Sequence, residues 1–218
     1  MLIHNFDLLF NDPFAFTVLI GSVVLALVIG ITVHEFAHAA AATMRGDTTA
    51  QRQGRLTLNP KAHLSPAGSI MILLVGFGWG RPVPVNIFDL RGGRRALAFV
   101  SAAGPVSNVV LALAFALLFQ VGLLSVDEIS WASRYAHYAV QMNLLLAVFN
   151  LLPISPLDGG GILAGLAPRS ALPVVRQFQK IGPVVLIVIL LSSYVPNLNI
   201  LGTIFAPVVD LAGILVGG

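Results

Sequence analysis

Cysteine is absent from all 218 residues, which excludes a disulfide framework and any thiolate metal site. A metal, if one is held, must be held by histidine and carboxylate. Charge is scarce as well: Asp, Glu, Lys and Arg make up 10% of the chain, against about 25% in soluble domains. The net charge is +3 and the pI about 9.8. The basic residues lie in short loops without interleaved aromatics, so nucleic acid is excluded as a partner. Internal repeats, linkers and low-complexity runs are missing. The N-terminus lacks a basic stretch followed by a small-residue cleavage site, so the first apolar helix is expected to be its own insertion signal.

What fills the chain instead is apolar surface. Apolar residues account for 57% and mean hydropathy is +0.91. Several runs reach the ~20 residues that cross a bilayer. The expected fold is an all-α polytopic membrane protein, a single integral-membrane domain over residues 1–218 with its core in 14–166. It should hold about five to six transmembrane or re-entrant segments and a small β-hairpin or re-entrant loop.

Residues 14–44 are expected to form the first long helix, capped by Asp12 and opened by Pro13. Residues 45–64 are polar. Residues 65–80 are apolar but short and broken by Pro66, Gly68, Gly76, Gly78 and Gly80, which fits a re-entrant helix or hairpin. Arg81-Pro82-Val83-Pro84-Val85-Asn86 reads as an extended edge segment, because each proline denies a ladder its donor. Further helices are expected over 96–124, kinked at Pro105, and over 135–152. A Pro/Gly-rich break follows, in which Asp158 stands ready to cap a short helix over 160–166. Residues 168–180 read as a basic loop, 181–194 as a span, and 198–216 as a last apolar segment interrupted by Pro207 and Asp210.

Within the first of these helices lies His34-Glu35-Phe36-Ala37-His38, an H-E-x-x-H motif. Four-residue spacing puts both imidazoles on one helix face, within reach of one metal ion, and places Glu35 beside any water the ion holds. From Phe14 to Ala42 the only formally charged residue is Glu35. Ionisable groups at membrane depth mark functional sites by default. A chance match in a buried helix is the bland alternative, and a chain of this length shows the motif by chance on the order of 1% of the time.

Two histidines leave a zinc site short of one protein ligand and a water. Asp158, Asp210, His137 and His63 are the candidates in apolar surroundings. Asp158 is the strongest, being flanked by glycines that permit close backbone approach. Its bland reading is a helix cap. Asp210 reads as a cap or packing residue, His137 as interfacial, and His63 as solvated or capping.

Together, three motifs in this order resemble the site-2 protease family of intramembrane zinc metalloproteases. They are His34-Glu35-x-x-His38, Gly104-Pro105-x-x-Asn108, and Asn150-Leu151-Leu152-Pro153-x-x-Pro156-Leu157-Asp158-Gly159. The Gly54-Arg55-Leu56-Thr57-Leu58-Asn59-Pro60 loop and the Pro-Val-Pro-Val segment look like the compact members, without a PDZ or CBS domain. The resemblance implies one Zn2+ per chain on His34, His38 and Asp158, with Glu35 as catalytic acid/base. It implies that Asn150 contacts substrate or the oxyanion, and gives Asn108 a weaker role, alternatively a bond between helices. It also implies a transmembrane-protein substrate bound as an extended strand along a re-entrant β-loop. Ser155 and Gly161 depart from the pattern of many relatives, which puts regulation and substrate choice in doubt rather than the metal site.

The function expected from all this is zinc-dependent endopeptidase action within or near transmembrane segments. The basic residues fall on one side of the expected topology, with Arg134 opposite beside Asp127 and Glu128. This is expected to place the active site at the cytoplasmic side of a multi-pass cell-membrane protein. The alternatives are a membrane zinc or metal transporter, which should show metal flux, and a catalytically inactive relative that binds membrane proteins. Oligomeric state is not fixed by these features.

Overall fold

A computed structural model of the protein describes residues 6–75, 78–126, 130–193, 195 and 198–217. Gly76, Asp127, Glu128 and Tyr194 of the expectations above lie outside the described residues, as do residues 1–5.

The described residues are helical, without a β-sheet. A short helix α1 (Phe6–Asn11) leads into α2 (Pro13–Met44). Asp12 caps α2 as expected, its Oδ1 accepting from the Ala15 N–H at 2.9 Å, and Pro13 occupies the first turn, where its missing donor costs nothing. The 32 residues of α2 extend ~48 Å at the helical rise, well beyond a bilayer core of ~30 Å. Short helices α3 (Thr49–Arg52) and α4 (Pro60–His63) follow, then α5 (Pro66–Val75).

At 10 residues, α5 reaches only ~15 Å and cannot span. The chain then returns to its starting point: Leu64 and Gly80 form an antiparallel bridge, and the Arg81 N–H donates to the His63 carbonyl at 2.6 Å. Gly68 makes this return possible, since a Cβ there would overlap the Trp79 carbonyl oxygen.

Helix α6 (Gly93–Gln120) contains Pro105, and α7 (Trp131–Leu151) opens on Ser130, whose Oγ accepts from the Ser133 N–H at 3.0 Å. Helices α2, α6 and α7 pack on one another, α8 (Asp158–Leu166) lies against α6, and α10 (Ile200–Val216) closes against α7 and α6. Small side chains set these distances. Ala112, Ala116, Ala136 and Ala212 interleave with Val140, Leu144 and Val208 in one cluster, while Ala41, Ala42 and Ala96 line the α2–α6 seam. Without a hydrophobic driving force between helices in lipid, such close approach supplies the van der Waals packing.

Three helical stretches are long and apolar enough to cross a membrane: Pro13–Met44, Gly93–Gln120 and Arg169–Ser192. The last corrects an expectation. Residues 168–180 are not a loop; a 3-10 turn at Arg169–Ala171 runs into α9 (Leu172–Ser192). Pro173 falls in the first turn, where proline is tolerated, and the exposed Arg176 and Lys180 extend from the helix surface on long aliphatic stems.

Candidate metal centre

The side chains that matter come from α2, α6, α7 and α8. His34 and His38 share a face of α2, with their rings edge to face at 4.6 Å between centroids. Both are buried. Each ring is oriented from behind through Nδ1: His34 Nδ1 lies 2.7 Å from Asn108 Oδ1, and His38 Nδ1 lies 2.7 Å from the Val100 carbonyl oxygen. Both oxygens only accept, so both Nδ1 atoms carry hydrogen. The Asn108 amide orientation is fixed in turn, because its Nδ2 donates to the Gly30 carbonyl at 3.1 Å and to Asn143 Oδ1 at 2.8 Å. Asn143 Nδ2 donates to the Ala139 carbonyl at 2.8 Å, which completes the network.

With Nδ1 turned to an acceptor oxygen, each imidazole directs its Nε2 to the opposite side. The two Nε2 atoms face each other at 3.0 Å. The Asp158 carboxylate meets them, Oδ2 at 3.1 Å from His34 Nε2 and Oδ1 at 3.3 Å from His38 Nε2. Two imidazole nitrogens and a carboxylate converge on one point, a donor set that suits a cation. Donors held tetrahedrally at ~2.0–2.2 Å from one ion lie about 3.3–3.6 Å apart, slightly wider than the 3.0–3.3 Å observed. His34, His38 and Asp158 therefore fit a small divalent metal.

Two glycines make this convergence possible. A Cβ on Gly104 would stand 2.6 Å from both Cε1 and Nε2 of His34 and overlap His38 Nε2. Helix α6 passes directly behind the donors only because residue 104 has no side chain. A Cβ on Gly159 would overlap the carbonyls of Leu151 and Leu152, so the chain reversal that delivers Asp158 depends on it. Asp158 is not the cap that its position predicted. Leu157 is the N-cap and makes no side-chain bond; Asp158 is the first helical residue, its carboxylate turned to the imidazoles.

Glu35 lies beside the donors, its Oε2 accepting from the Val83 N–H at 3.1 Å. A cavity of about 650 Å³ opens against the cluster. His34, Glu35, His38 and Asp158 form one wall. Gly80, Val83 and Val85 of the extended segment form another, and apolar residues of α7, α9 and α10 close the rest.

Of the remaining expected residues, Asn150 lines this cavity, one of its N–H groups donating to the Leu146 carbonyl at 3.0 Å and the other without a partner among the described residues. Asn108 is fully buried behind His34 rather than in the cavity. His63 departs from expectation: it is buried, with Nε2 paired to the Thr57 carbonyl at 2.7 Å, because α4 folds under the returning Gly80. Asp210 is exposed in mid-α10 and caps nothing. His137 lies within α7, away from the cluster. Sequence reasoning missed Asn143, the Val100 carbonyl and Arg55. Asn143 was signalled only as one amide in an apolar helix, and a backbone carbonyl gives no signal at all.

The model of Peptidase family M50 matches residues 123–193, a stretch that includes Asn150 and Asp158. A Bacillus subtilis (strain 168) protein provisionally named zinc metalloprotease YwhC is 43% identical over 186 residues, 81% of this chain and 85% of the relative. A Mycobacterium tuberculosis (strain H37Rv) protein provisionally named zinc metalloprotease Rip2 is 32% identical over 214 residues, 93% of this chain and 78% of its own length. The Mycolicibacterium smegmatis protein of the same provisional name is 30% identical over 183 residues, 81% of this chain and 68% of the relative. No solved structure matches the chain significantly.

Proposed function

The chain belongs to Peptidase family M50, and from that premise we propose that it is a zinc-dependent intramembrane endopeptidase. In this reading it hydrolyses peptide bonds within or near the transmembrane segments of membrane proteins. The observation that carries the reading is the meeting of His34 Nε2, His38 Nε2 and the Asp158 carboxylate at 3.0–3.3 Å, beside Glu35 and at the wall of a cavity. Zinc held there supplies Lewis-acid polarisation of the scissile carbonyl and lowers the pKa of water to about 7.

The chain's own residues do the rest. Glu35 accepts a proton from the attacking water and delivers it to the leaving nitrogen. Asn150, which lines the cavity with one N–H free of partners among the described residues, donates to the developing oxyanion, an interaction worth about 3 kcal/mol in favourable cases. A helical substrate has its carbonyls occupied, so it must first open. An extended strand laid along residues 83–85 regains backbone hydrogen bonds there. The apolar walls contributed by α7, α9 and α10 suit such a segment.

The basic residues support a cytoplasm-facing site in the cell membrane. Arg45, Arg52, Arg55, Lys61, Arg81 and Arg91 fall between α2 and α6, Arg94 and Arg95 in the first turn of α6, and Arg169, Arg176 and Lys180 around the start of α9. With α2, α6, α7 and α9 crossing in turn, all lie on one side. Glu35→Gln tests the function. In proteoliposomes carrying a single-span substrate, the variant should keep its zinc and lose cleavage; cleavage at the wild-type rate would reject the role given to Glu35.

A further inference from the structure

Resting on that reading, we propose that Arg55 is a positioning residue for Glu35 and acts through a single peptide group, the one joining Pro82 to Val83. The Arg55 side chain is buried, yet no carboxylate lies within ion-pair distance among the described residues. Its Nη1 donates to the Pro82 carbonyl at 3.2 Å and its Nη2 donates to the Arg81 carbonyl. Burying a guanidinium against neutral carbonyls alone is costly, so the arrangement calls for a reason.

The reason lies at the other end of the same peptide. A trans peptide is planar, with its C=O and N–H pointing in opposite directions. Arg55 holds the oxygen of the Pro82–Val83 unit, and Glu35 Oε2 accepts from its N–H at 3.1 Å. The plane is clamped between a cation and an anion. Polarisation of the carbonyl by the guanidinium strengthens the N–H as a donor to Glu35.

The segment is stiff enough to transmit this. Pro82 and Pro84 fix their own φ, and each confines the residue before it to extended backbone. Its far end is anchored as well, the Asn86 N–H donating to Asp47 Oδ2 at 2.6 Å. Gly80 lets the chain press against α2 at this point: a Cβ there would stand 3.1 Å from Ile31 Cγ2 and 3.3 Å from Glu35 Oε1. Glu35 Oε2 is therefore committed to Val83, and Oε1 is left to exchange the proton.

The test compares full-length wild type, Arg55→Lys and Arg55→Ala with the same pair in a Glu35→Asp background, in proteoliposomes with a single-span substrate. Lysine keeps the charge but cannot hold two carbonyls as a planar fork. Zinc content should match wild type, and kcat should fall on the order of 100-fold in Arg55→Ala, the scale of a roughly 1 Å misplacement of a catalytic group. KM should change little, and the loss should shrink in the Glu35→Asp background, where the shorter carboxylate no longer reaches Val83. A raised KM at unchanged kcat would make Arg55 a substrate-holding residue and overturn the proposal. Full multiplication of the two losses, or zinc loss from both Arg55 variants, would overturn it too. Hydrogen exchange over residues 80–86 supplies an arm independent of cleavage. Exchange at Val83 should quicken at least tenfold in Arg55→Lys and in Glu35→Ala alike, and unchanged exchange in Arg55→Lys overturns the proposal. If wild type itself fails to cleave, the proposed function fails, and the exchange arm still decides whether Arg55 holds the peptide on Glu35.

Discussion

His34 Nδ1–H donates to Asn108 Oδ1 at 2.7 Å across the α2–α6 seam, 74 positions apart in the chain. This bond fixes the tautomer that leaves Nε2 bare for a metal. Outer-shell partners of this kind change metal affinity by about 10- to 100-fold when removed. Asn108→Leu should weaken zinc affinity over that range, measured by competition with a chelator. It also leaves Asn143 Oδ1 and the His34 Nδ1–H without these partners in the interior, so a stability loss of roughly 1–3 kcal/mol should accompany it.

Gly104→Ala sets helix propensity against packing at the metal centre. Alanine favours a helix over glycine by about 1 kcal/mol, but overpacking a buried site costs about 1–3 kcal/mol, so the metal-free protein should melt at or somewhat below the wild-type temperature. The new methyl nevertheless enters the space of both imidazoles, and their Nδ1 tethers prevent retreat. Zinc content measured after purification should drop sharply. A fully loaded Gly104→Ala protein would mean that the rings have slack not visible in their hydrogen bonds.

Asp158→Asn preserves size but removes the negative charge that meets the two Nε2 atoms. Zinc affinity should fall by more than roughly 100-fold, beyond the range of outer-shell partners. Helix α8 should persist in circular dichroism, because Asp158 makes no capping bond. Near-wild-type zinc content in this variant would remove Asp158 from the ligand set.

Asp47 gives a pH prediction outside the membrane-spanning helices. Burial alone would raise its pKa, but the hydrogen bonds from Thr49 and Asn86 outweigh burial and hold it below the ordinary 3.8. For a depressed carboxylate the stabilisation is complete above the unfolded pKa and is lost as pH falls through the folded one. Wild type and Asp47→Ala should therefore differ in melting temperature at neutral pH and converge below about pH 3.8. A gap that persists in acid would assign the effect to packing.

The metal donors were legible because their chemistry is written in residue type and spacing. The His34–His38 interval places both rings on one face in any α-helix, and an aspartate between a proline-broken helix end and a run of glycines has few roles open to it. Asn108 was ambiguous, since an amide at a helix seam reads equally as glue. Only its partners made it an orienter of His34. Val100 could not have been found, because what it contributes is a carbonyl that every residue has. Arg55 was hidden for a related reason: its partners are also backbone oxygens, brought to it by a loop that leaves at Leu64 and returns at Gly80. The basic residues misled at 168–180, where charge on a helix surface was read as a loop.

What the sequence determined by itself is the chemistry on offer: histidines and carboxylates without thiols, set in helices apolar enough for lipid. Periodicity and residue type are local properties, and local properties survive without coordinates. The tertiary structure alone decided that Asp158, 120 and 124 positions beyond His38 and His34, closes on both of them. It also decided that one peptide group is gripped by Arg55 and Glu35 together. Each of these depends on close approach between segments remote in sequence, set by packing and by where a glycine leaves room.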